Sequence, residues 1–164
     1  MRSRVRQHAL AVLAAGVLAA PARAGTHTPP EAFLGQLVGH WDMVATVPGK
    51  PDWHQHGEGR WVLQNGRLLL RIVDTARPPA YEASVSLGFD SKAGDHIAHW
   101  IDQFGAAGAR VVASGRRQGQ TLVLLFPYAQ GAFRDTLVMA ADGNSATLLL
   151  ESQQRDGSRS TFAS

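Results

Sequence analysis

Apolar and polar residues alternate along most of this chain. Ala83, Val85, Leu87 and Phe89 recur at every second position between Tyr81 and Asp90. That two-residue period is the signature of a half-buried strand. Runs of similar character occupy 40–47, 54–64, 67–75, 96–104, 109–117, 121–128, 132–140 and 146–155, with a short one at 159–163. Turn formers separate them: Pro48-Gly49-Lys50-Pro51, Asn65-Gly66, Pro78-Pro79, Gly105 to Gly108, Gly119, Gly131, Asp142-Gly143-Asn144 and Asp156-Gly157. Asn65-Gly66 predicts a two-residue hairpin, because both residues tolerate positive φ. Nine or ten short strands with no long helix predict a sandwich or a barrel. Short connections throughout favour an all-β, antiparallel up-and-down barrel, which removes exposed sheet edges.

One short helix precedes the strands. Phe33, Leu34, Leu37 and Val38 fall at helical spacing. Thr28 is placed to cap it, with Pro29 at the first helical position and Glu31 in the first turn. Gly39 ends it. Such a helix would serve as a lid or plug at one barrel end.

The first residues read differently. Arg2, Arg4 and Arg6 form a basic start, and Ala9 to Ala20 an apolar run of about a dozen residues, too short to span a bilayer as a helix. Ala22-Arg23-Ala24 follows as a small-x-small cleavage pattern. The expected organisation is a signal peptide at 1–24, a linker and short helix at 25–38, and a barrel domain at 39–164. The expected location is the periplasm or the exterior, with no membrane span after the leader is removed.

This changes the charge picture. The whole chain has 16 Lys+Arg and 13 Asp+Glu. Four of the arginines (Arg2, Arg4, Arg6 and Arg23) lie in the leader, which has no acid, so the remainder is close to neutral. A nucleic-acid surface needs a basic patch or stripe, and Arg116-Arg117 is only an isolated pair. With no cysteine, disulfides, thiolate metal sites and cysteine nucleophiles are excluded.

Four stretches carry a family resemblance: Leu37-Val38-Gly39-His40-Trp41, Trp61 to Leu69, Leu87-Gly88-Phe89-Asp90, and Trp100-Ile101-Asp102-Gln103-Phe104-Gly105. In order and spacing the chain resembles an uncharacterised bacterial family of exported lipocalin-like (calycin-type) proteins. The resemblance implies a barrel with an internal cavity, with Trp41 packing across one end. It implies no established activity, because fold is not function.

Candidate chemistry is sparse. His54 and His56 are two apart, so a strand would aim both at one side, where they could share a metal. A third ligand would have to come from His40, Glu58, His96 or His99. If Trp100 faces the cavity, Asp102 on the same face becomes a buried acid needing a partner, with Arg60, Arg71 and Arg110 as candidates. No Gly-x-Ser-x-Gly, phosphate loop or dinucleotide fingerprint is present, and no cofactor is expected.

Three functions follow. The first is a container for a small, mainly apolar ligand, contacted by Trp41, Trp61, Val85, Leu87, Trp100, Asp102, Phe104 and Phe126, with Leu124 and Leu148 also in reach. The second is an interaction barrel with a filled core, such as a homodimer packed through outward-facing leucines. The third is a metal-assisted enzyme using His54 and His56. Alternation alone does not say which face of a strand is inside.

Overall fold

The computed structural model describes residues 31–153 and 156–164. The leader and the Thr28 cap therefore lie outside the described residues. One antiparallel sheet contains ten strands in chain order: β1 Gly39–Ala45, β2 Trp53–Val62, β3 Arg67–Asp74, β4 Glu82–Asp90, β5 Asp95–Asp102, β6 Val112–Gln118, β7 Thr121–Phe126, β8 Phe133–Met139, β9 Ala146–Gln153 and β10 Arg159–Ala163. Every neighbour pair is consecutive and antiparallel, so the chain is an up-and-down meander.

The meander curls into a nearly closed barrel. Thr46 and Ser164 exchange two backbone hydrogen bonds, 2.7 Å and 3.0 Å, joining the end of β1 to the residue after β10. Among the described residues, these are the backbone hydrogen bonds that join β1 to the β10 end. β10 pairs with Leu150–Gln153 of β9, and the register leaves Ala146–Leu149 facing β1 without a strand between them. The barrel is thus laced at one level and slit below it.

Cross-strand register fixes the interior. Leu68, Leu87, Ala98 and Ala113 stand opposite one another on successive strands, and all are buried. Leu122 faces Leu137, which faces Leu148. The inward face of β2 carries Gln55, Gly57, Gly59 and Trp61. Its glycines are there because neighbours crowd them: a methyl at Gly59 would overlap the Leu37 carbonyl, and one at Gly57 would press on Met43 and Trp41.

One end is closed by α1 (Ala32–Gly35) and the residues after it. Phe33, Leu34 and Leu37 are all nearly fully buried in the barrel core. The helix begins one turn later than its Thr28-Pro29 signal predicts. Glu31 is its N-cap and not a first-turn residue, with extended backbone and a carboxylate accepting the Leu34 N–H at 2.7 Å. That satisfies one of the amides a helix start leaves free. Gly39, at φ 123°, turns the chain into β1, and Trp41 Nε1 donates back to the Leu37 carbonyl at 3.0 Å.

The Asn65-Gly66 hairpin is present but built differently. Val62 pairs with Arg67, so the loop has four residues. Leu63, Gln64 and Asn65 take left-handed backbone (φ 51°, 57° and 66°), and the Gly66 N–H closes the turn on the Leu63 carbonyl at 3.1 Å.

Candidate functional site

Above the plug, the barrel is hollow. A cavity of about 630 Å³ occupies the end opposite α1. Leu70 and Ile72 of β3, Trp100 of β5, Phe126 of β7, Leu137 of β8 and Leu148 and Leu150 of β9 form its wall, with Trp41 and Met43 from β1. Outward-alternating Asp42 and Val44 on β1 and Thr147 on β9 line it too. The cavity therefore opens sideways through the slit as well as at the mouth.

The mouth is aromatic. Tyr81 and Phe104 lie 5.8 Å apart between ring centres, Phe126 and Tyr128 stack at 6.0 Å, and Phe133 meets Phe162 edge-on at 5.6 Å. Phe104 is 77% exposed and Phe162 55%, an expensive placement for large apolar rings unless something covers them. Lower down, Trp100 is fixed by its Nε1–H donating to the Tyr81 hydroxyl at 3.1 Å.

Few polar groups reach the interior. Gln55 and Asp135 line the cavity and are both buried, Asp135 to 4% exposure. Asp135 sits between Leu124 and Leu150 in register, and its Oδ1 has no hydrogen-bond partner. Burial pushes its carboxyl up to about 7, since an ion there loses its hydration. Tyr81 is pushed up to about 12, first by burial and then by the negative charge of Asp102 and Asp135, against which the Trp100 hydrogen bond works. Tyr128 is raised by burial, Asp135 and Asp102. Both phenols are neutral donors near neutral pH.

The structure sorts the residues singled out from sequence. Trp41, Trp100, Asp102, Phe104 and Phe126 all line the cavity. Trp61, Val85 and Leu87 point into the barrel but pack in or against the core and not on the cavity wall. Leu148 lines the cavity, whereas Leu124 is buried beside it. Asp102 is only half-buried, and among the described residues no arginine pairs with it: its Oδ1 accepts the Phe104 N–H at 3.0 Å, while Arg71 pairs with Glu82 at 2.7 Å. The deeply buried acid is Asp135, which the sequence reading passed over. Its signal was present as a single charge in the inward series Phe133, Asp135, Leu137, Met139.

His54 and His56 do share a face, but it is the outer one, and both are exposed. His56 Nδ1 lies 3.1 Å from Asp42 Oδ1. Of the other candidate ligands, Glu58 follows His56 on that same outer face with His40 opposite it on β1, whereas His96 is buried beside Phe33 at the closed end and His99 Nε2 bonds the Ala109 carbonyl at 2.6 Å. Among the described residues, no group of three His, Cys, Asp or Glu side chains converges on one point.

No protein-family model matches this chain, and no curated protein matches it. The described residues include no helix long and apolar enough to cross a membrane.

Proposed function

We propose that this chain is an exported, lipocalin-like barrel that takes a small, mainly apolar molecule into its cavity, in the periplasm or outside the cell. The observation that carries this reading is the 630 Å³ cavity with its largely apolar wall. Ligand pockets fall at roughly 300–1,000 Å³, apolar with a few placed polar groups. A barrel serving only as an interaction module has no use for a hollow of that size, since empty apolar volume forfeits packing energy. The aromatic mouth and the slit give a ligand two ways in.

Fluorescence titration with the neutral apolar dye N-phenylnaphthylamine tests this. The expected result is saturable one-to-one binding that is lost in Leu70→Trp, where an indole fills the cavity. Absent binding, or binding untouched by that substitution, would overturn the reading.

A second reading, self-association, draws on outward-facing Leu125 and Val138, which are 46% and 40% exposed on the β7–β8 face. Sedimentation of the chain and of Leu125→Lys tests it: a monomer in both contradicts a dimer through this face.

A further inference from the structure

The cavity has a charge character that an all-purpose apolar container would not need. Asp102 and Asp135 line it, Asp42 touches its edge only at the slit, where its side chain faces outward beside His56, and among the described lining residues there is no Lys, Arg or His. Asp135 is 96% buried with an unpartnered oxygen. A buried carboxylate with no cation is costly, and native structures almost always supply a partner. Trp41, Tyr81, Trp100, Phe126, Tyr128 and Phe133 line the same cavity. Aromatic faces attract cations most strongly where water is excluded. A carboxylate or phosphate ligand would find the Tyr81, Tyr128 and Gln55 donors but no cation, and would lie beside Asp102 and Asp135, while a plain hydrocarbon would leave the Asp135 oxygen unsatisfied.

We propose that the cavity selects an apolar molecule bearing one amine, held as an ammonium ion against Asp135 and flanked by the aromatic wall. This rests on the ligand-binding reading of the same cavity and narrows its chemistry. The Tyr81 and Tyr128 hydroxyls and the Asp102 carboxyl are the other ionisable groups facing this region. None of them carries positive charge, so none competes with the ligand for Asp135.

Displacement of N-phenylnaphthylamine by decylamine, decanol and decanoate tests the proposal. Dye binding by itself reports on the container reading, so the two can fail separately. Decylamine should displace the dye at a concentration about tenfold or more below decanol, as a charge-assisted hydrogen bond implies, with decanoate weakest. Asp135→Asn should erase the amine's advantage and leave decanol unchanged, while Asp102→Asn should retain most of it. If Asp135→Asn fails to bind dye, the wild-type chain still decides. The amine's advantage should shrink below pH 7, where Asp135 takes up its proton, and decanol should stay flat. Dye binding with decylamine no better than decanol would overturn the proposal. So would an amine preference that survives Asp135→Asn or is independent of pH.

Discussion

The two ends of this barrel use the same alternation to opposite ends. At the closed end, Phe33, Leu34 and Leu37 come up from the plug and fill the space between the strands. Arg117 lies over the Phe33 ring at 5.6 Å and 3.6 Å from Glu31, and Gln120 donates to Gln36 at 3.4 Å. At the other end, strands of similar length enclose a void, and large rings stand at its rim. What differs is not the strands but whether a second element supplies side chains to the middle. A barrel of this width is hollow by default and solid only where it is plugged.

Each end also buries one titratable group, and these differ in sign. Asp135 at the hollow end is raised to about 7 by burial. Its folded-state pKa lies above the ordinary 3.8, so the native state holds the proton longer than the unfolded chain. Stability is therefore lost as pH rises from about 4 to about 7. His96 at the closed end is lowered, burial outweighing Glu31 at 3.7 Å. Its cost falls on the acid side: stability is lost as pH falls through its ordinary 6.5.

The largest expected effect separates those groups. Asp135→Asn should stabilise the empty protein above neutrality by up to about 4 kcal/mol, less wherever water in the cavity hydrates the carboxylate. Urea unfolding across pH should show the slope between about 4 and 7 flattened. An unchanged slope would mean that Asp135 is not the buried acid it is taken to be. His96→Leu should steepen the Asp135 slope within that window, because it removes the opposing loss of stability on the acid side of the ordinary histidine range.

Next comes packing. Leu34→Ala should cost about 3 kcal/mol, because the buried side chain leaves a void in a filled end. Phe104→Ala, at the mouth, should cost less than about 0.5 kcal/mol while weakening dye binding. Equal losses at both sites would erase the distinction between the two ends. The smallest effect belongs to the β2–β3 loop. Leu63 is 78% exposed with left-handed backbone, so Leu63→Gly should stabilise by about 1 kcal/mol. Thermal unfolding reads both.

The ten strands were legible because alternation and turn residues act locally, and neither depends on distant partners. Depth along a strand was not. Val85, Leu87 and Trp100 all point inward, yet only Trp100 lines the cavity; Val85, although paired in register with the cavity-lining Leu70 and Trp100, is packed into the core with Leu87. Which face points in was equally hidden for His54 and His56. Gly57 and Gly59 settle it, since only a residue without a side chain can face Trp41, Met43 and the Leu37 carbonyl. Asp135 was visible as a charge in an apolar series, but its isolation depends on the absence of basic groups across the barrel, which only the closed sheet brings together.

The most direct test is a crystal structure of the chain under xenon pressure. Xenon density among Leu70, Ile72, Trp100 and Phe126, with the closed end empty of it, is the result expected of a hollow barrel plugged at one end. Collapsed side chains with no xenon inside would contradict the account.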